Sequence, residues 1–271
     1  MPRFGGSPFA LPDLNGATRR IVLLSTAAFF LLAIVGLFSQ GLYLQLLSIF
    51  ALSPAAVAHG ELWQLITYAF LNPGLFNAFL MLISLWFVGS LLESEHGSRW
   101  FTELFFVGVL AASLTATIVG LKFPVLGGSL LGLSGALFAL MVAVAVLHGD
   151  LQFMLFFVLA VKARTLVIIL LLVLLAQSLG GDRIYALSQL GAALAGFLYA
   201  RYAPRRGGYL LRLSESWYGM RNNYYRARRR KAAKKFEVYM KKQGRVVRFD
   251  GQGNYLDPDD SKESKENHWL N

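Results

Sequence analysis

Gly132-Leu-Ser134-Gly135 brings a hydroxyl into a stretch that runs on to His148 with only apolar side chains. Glycines beside a Ser open space around its oxygen and leave backbone N–H groups unhindered. That suits a nucleophile next to an oxyanion site. The same residues also suit packing. A Ser in a membrane helix bonds back to a carbonyl one turn earlier, and small residues let a neighbouring helix approach closely. On these residues alone both readings stand. Other groups able to do chemistry are sparse. His59, His96, His148 and His268 are scattered without ligand-like spacing, and Cys is absent. Neither a disulfide nor a metal site is expected, and no cofactor is implied.

The elements that must position Ser134 read as membrane helices. Of 271 residues, 56% are hydrophobic and only 15% are charged, against roughly 25% charged in soluble domains. Uncharged runs occupy Ile21–Gly60, Leu62–Leu92, Leu104–Leu121, Phe123–Gly149, Thr165–Gly181 and Ile184–Ala200. Each holds a segment of about 17–25 residues, the length that crosses a hydrocarbon core. A soluble α/β protein would interrupt such runs with charges on its wet faces. The pattern predicts an all-α membrane protein of six transmembrane helices, at about 21–38, 74–92, 100–121, 134–148, 163–179 and 184–202.

The first twenty residues have no small-residue cleavage site after them and read as a lead into a retained helix, not a removable signal. Ser39–Gly60 lacks Lys and Arg, and Leu151–Val161 is too short to span; both are expected at the membrane interface. Domain boundaries follow: 1–20 as lead, 21–202 as membrane domain, 203–271 as tail.

The net charge of +11 is unevenly spread, because residues 1–200 carry eight basic and seven acidic side chains. The excess belongs to the tail and its block Arg226-Ala-Arg-Arg-Arg-Lys-Ala-Ala-Lys-Lys. Arg3, Arg19, Arg20, Arg99, Lys162, Arg164 and the tail fall on one side of six spans, and Lys122 and Arg183 on the other. The basic side is expected to be cytoplasmic, with both termini on it, in a bacterial inner (plasma) membrane. The basic block is expected to touch anionic lipid. No aromatic platform is interleaved with it, so no specific nucleic acid is expected. The end, Asp257–Asn271, is polar and expected to be disordered.

Several blocks together resemble the rhomboid intramembrane serine proteases. They are Trp63-Gln64-Leu-Ile-Thr-Tyr-Ala-Phe, then Leu82-Ile-Ser-Leu-Trp86-Phe-Val-Gly89-Ser-Leu-Leu-Glu93, then Gly132-Leu-Ser134-Gly135, and Leu190-Gly191-Ala-Ala-Leu-Ala-Gly196-Phe-Leu-Tyr. The resemblance covers about residues 60–202 with order and spacing intact. It implies a rhomboid-like six-helix bundle with a Ser nucleophile on the fourth helix and a His base on the sixth. It further implies an oxyanion site of a His and an Asn four residues apart on the second helix, plus backbone N–H at the Ser.

Carried onto this chain, the resemblance leaves little besides the Ser. Ser134 stands at the nucleophile position, but Gln189 stands where the base is expected. The oxyanion His falls on Asn77 and its Asn on Met81. An earlier loop His falls on Asn72, a Tyr one turn after the nucleophile on Phe138, and an Arg after the loop Trp on Gln64. A Ser is inert at neutral pH unless a neighbour takes its proton, and an amide has no nitrogen to take it. Loss of such a base costs about 10⁴–10⁶ in rate, and loss of an oxyanion donor about 10²–10³. Gln189 could still hold Ser134 by a hydrogen bond, and Asn77 could still donate.

No other imidazole is expected to substitute. His148 lies fourteen residues along the same helix, about 21 Å away. His96 belongs to a turn on the opposite side and His268 to the tail; His59 shares the outer side but lies in the loop before the second helix. Of the remaining residues, Gly191, Ala192, Ala195 and Gly196 read as a packing stripe. Trp63, Trp86 and Trp100 read as interfacial or packing aromatics. Asn72 and Asn77 read as polar contacts, and Glu93 and Glu95 as local partners of Arg99.

The leading expectation is therefore a non-proteolytic binder that admits transmembrane helices of client proteins sideways. The rival is an intramembrane serine endopeptidase with residual activity through Ser134. A transporter or channel is the third reading; its usual sign is an intramembrane charge, which the second, fourth, fifth and sixth helices lack in their middles.

Overall fold

The computed structural model describes residues 15–72, 74–123, 128–155, 159–180 and 182–203, with scattered short stretches between 228 and 256. The chain divides into two units, Met1–Tyr209 and Leu210–Asn271. Residues 1–14 of the lead expected at 1–20, His268 and the end at 257–271 lie outside the described residues.

The first unit is almost all helix: α1 (Gly16–Phe38), α2 (Gln40–Phe50), α3 (Pro54–Ala58), α4 (Gln64–Thr67), α5 (Leu75–His96), α6 (Ser98–Lys122), α7 (Ser134–Leu147), α8 (Ala163–Leu179) and α9 (Arg183–Tyr202). A short hairpin, β1 (Gln152–Leu155) with β2 (Leu159–Lys162), joins α7 to α8 and pairs Gln152 with Lys162. The apolar stretch expected at the interface thus folds as an antiparallel ribbon. In the second unit β3 (Arg248–Phe249) pairs antiparallel with β4 (Tyr255–Leu256).

Among the described residues, α1, α5 and α6 are long and apolar enough to cross a membrane. The helix α7 has 14 residues, which rise about 21 Å against a hydrocarbon core of about 30 Å. It can be short because it lies inside the bundle: Ser134–Leu140 and Val142–Ala145 are all buried, with α5, α6, α8 and α9 packed around it.

Small residues bring these helices into backbone contact. A methyl group on Gly108 of α6 would lie 2.7 Å from Ala139 Cβ, and one on Gly135 of α7 would lie 2.6 Å from Ala112 Cβ. On α9, a methyl at Gly196 would meet the Ala139 carbonyl oxygen at 2.5 Å, and one at Gly191 would collide with Thr115. The stripe beginning at Gly191 is a seam without room for side chains, as close helix association requires. Larger residues fill the space on either side. Trp100, Phe101, Phe105 and Leu133 are among the most deeply buried.

Helix α1 starts one turn earlier than its apolar run suggests. It has no acidic residue in its first turn and no side-chain cap from its own Asn15. The first N–H groups of a helix lack internal partners. Here Glu93, at the far end of α5, takes them: Ala17 N–H donates to Oε1 at 2.7 Å and Thr18 N–H to Oε2 at 2.8 Å. Ser98 at the start of α6 donates its hydroxyl to the same carboxylate. Glu93 is therefore not a partner of Arg99 as expected. Glu95 pairs instead with His148, Oε2 to Nε2 at 2.7 Å. Among the described residues Arg99 forms no ion pair.

Candidate functional site

Ser134 begins α7, and the segment that delivers it is fixed by three backbone attachments. Leu130 bridges Leu52 through paired N–H···O bonds of 3.1 and 2.9 Å. Gly132 N–H donates to the Tyr68 carbonyl at 2.9 Å. Leu133 N–H donates to Asn72 Oδ1 at 3.2 Å. Gly132 sits at φ +96°, where a side chain would be strained, and a Cβ there would also lie 3.2 Å from Asn72 Oδ1. A glycine is required on both counts. Tyr68 is itself buried and anchored, its hydroxyl donating to the Val109 carbonyl at 2.8 Å; burial pushes its pKa up.

Packing sets the register of Ser134 against Gln189. Gly135 faces Ala192, and Ala139 faces Gly196. The equal offset means that α7 and α9 run parallel. Gln189 then stands level with Gly132, two residues or about 3 Å along the axis from Ser134. Both are buried, Ser134 at 8% and Gln189 at 5% exposure. Among the described residues no hydrogen bond joins them, so the contact that an amide could have kept is not made.

The other sequence-derived positions are dispersed. Asn77 is exposed on the first turn of α5, while Met81, one turn on, packs its thioether side chain against the core. Phe138 is buried one turn after Ser134. Gly135 is used for packing, as described. Leu133, the residue before α7, supplies no side-chain cap to its start.

The described imidazoles stand elsewhere. His59 is exposed and its Nδ1 contacts the Ala55 carbonyl at 2.8 Å. His148 pairs with Glu95 at the opposite end of α7, and His96 stacks on Trp100 with ring centroids 4.4 Å apart. Among the described residues no cluster of three or more metal-ligating side chains occurs.

Two residues carry more of this region than their sequence context indicates. Gln64 is fully buried at the start of α4. Its Oε1 accepts the Ser53 N–H at 2.9 Å, and its Nε2 donates to Glu61 at 2.7 Å and to the Ile49 carbonyl at 3.2 Å. Asn72 is 4% exposed and takes up the N–H beside the Ser. The Asn72 role has no local signal, since its contact spans 61 residues of chain. Trp63 is half-exposed and donates to the Ile49 carbonyl at 3.0 Å, whereas Trp100 is buried against Tyr199.

Comparison with known proteins matches residues 59–206 to the Rhomboid domain. The chain is also 32% identical over 85 residues to the inactive RHOMBOID-like protein 8 of Arabidopsis thaliana. That match covers 31% of this chain and 24% of the relative, so it spans about a quarter of the relative's length.

Proposed function

Since the chain belongs to the rhomboid family and is an integral membrane protein, we propose that it is a non-proteolytic member that binds transmembrane helices of client proteins. The observation that carries this reading is the pairing of positions in the core. Gln189 is buried beside the Ser134 level, where the family's chemistry calls for an imidazole. An amide cannot accept the hydroxyl proton, so no alkoxide forms. Asn72 holds the N–H of Leu133 and so fixes the segment that presents Ser134. Met81 offers no donor. The relative described as inactive is consistent with this reading.

In this proposal α7, α8 and α9 serve with α1, α5 and α6 as six spans, and the basic side faces the cytoplasm. The basic tail then rests on anionic lipid and holds the complex at that surface. Crosslinking in native membranes followed by mass spectrometry tests the binding. Recovery of intact single-span or multi-span membrane proteins, joined through their transmembrane segments, is the expected result. Recovery of clients cut within or beside those segments would contradict it.

The endopeptidase reading keeps one observation in its favour, that Leu133 supplies no side-chain cap to the helix that Ser134 begins. Replacing three residues tests the register for both readings. Gln189→His with Met81→Asn and Asn77→His should create Ser134-dependent cleavage of a model transmembrane substrate that the unaltered chain leaves intact.

A further inference from the structure

Away from Ser134, a groove of about 260 Å³ opens between α1 and α5. Both helices are long and apolar enough to cross a membrane. Near the Glu93 end they touch, since a methyl on Gly89 would lie 2.9 Å from Thr18 Cγ2. Farther along they part. The α1 wall is Val22, Thr26, Phe29 and Phe30, one stripe at helical spacing. Thr26 is the one hydroxyl on it and is spent on its own helix, donating to the Val22 carbonyl at 2.7 Å. The α5 wall, centred on Ala78, Leu82 and Ile83, carries no charge.

Arg19 continues this stripe one turn beyond Val22. It is exposed and forms no ion pair among the described residues. Among the described residues, the carboxylate that reaches this end of α1, Glu93, is already engaged by Ala17, Thr18 and Ser98. Arg20 is also exposed but lies off the stripe. Among the described residues, the surface thus combines a carbon-lined slot with an unpaired cation, Arg19, one turn beyond it.

Charge and depth select the occupant. The slot is lined by carbon and open to the side, so an alkyl chain can lie along it. From Arg19 to Phe30 the stripe rises about 16 Å, roughly half of a 30 Å hydrocarbon core. That is the depth reached by a chain of one leaflet. We infer that the α1–α5 groove holds an acyl chain of an anionic phospholipid whose phosphate is met by Arg19.

The test uses the full chain in detergent with phosphatidylglycerol carrying a diazirine on one acyl chain, beside phosphatidylcholine with the same chain. After photolysis, adducts are mapped by peptide mass spectrometry. Adducts concentrated on 22–30 and 75–86, formed about fivefold more by the anionic lipid, are the expected result. Arg19→Gln should remove that preference and leave the adduct positions unchanged, while Arg20→Gln should keep it. Thr26→Phe, which narrows the slot, should lower groove adducts relative to those on the exposed face of α8. Adducts spread evenly over α8 and α9, equal yields from both lipids, or a co-purified protein segment crosslinked in the groove would each overturn the assignment. The mapping on the unaltered chain stands even if a variant fails to fold.

Discussion

The side-chain oxygen of Asn72 accepts the backbone N–H of Leu133 at 3.2 Å, one residue before Ser134. A polar group from the loop before α5 thereby closes the segment that precedes α7. Removing it leaves a buried N–H unpaired, at about 1–3 kcal/mol. Asn72→Ala should therefore lower the thermal unfolding midpoint of the purified protein by several degrees. It should also speed proteolysis between 128 and 133, measured by limited digestion.

Glu93 and Arg99 should behave oppositely to their expected pairing. Glu93→Ala strips the partner from the Ala17 and Thr18 N–H groups, a cap loss of about 1–2 kcal/mol. Arg99→Ala should stay within about 0.5 kcal/mol, as for surface positions. Thermal unfolding of the two variants side by side checks this; equal losses would restore a Glu93–Arg99 pair.

Gln64→Leu has about the right volume but none of the bonds. It orphans the Ser53 N–H and removes one donor each from the Glu61 carboxylate and from the Ile49 carbonyl, which keeps Trp63. The loss should reach about 1–3 kcal/mol, the cost of one unpaired buried group. Hydrogen exchange should rise first at 48–67, ahead of α6 and α7.

Glycine substitutions should divide by location. Gly108→Ala places its methyl 2.7 Å from Ala139 Cβ, and overpacking of this kind costs about 1–3 kcal/mol. Gly196→Ala meets backbone, which yields less readily. Gly41→Ala in α2 finds its nearest neighbour at 3.9 Å, so the gain in helix propensity, up to about 1 kcal/mol, should leave stability equal or improved. Unfolding curves for the three rank them.

What could be read from the sequence was what apolar runs and glycines mark locally. Helix α8 at Ala163–Leu179 matches the span expected at 163–179, and α7 begins at the Ser that follows Gly132-Leu133. Three things were not legible because they are made by distant partners. The extra turn of α1 depends on Glu93, 75 or 76 residues away. The role of Gln64 emerges only when α2, α3 and α4 are folded against one another. The shortness of α7 follows from its burial, which hydropathy along one segment does not report. At the candidate site the residue types were visible, but the Asn72–Leu133 bond and the missing Ser134–Gln189 bond required the packing of α7 and α9.

The central claim is that Ser134 has no base, and activity-based labelling tests it most directly. A fluorophosphonate reagent applied to the purified protein should give the same faint background in the unaltered chain and in Ser134→Ala. Gln189→His combined with Met81→Asn and Asn77→His should raise labelling at Ser134. Strong labelling of the unaltered chain that vanishes in Ser134→Ala would contradict the account.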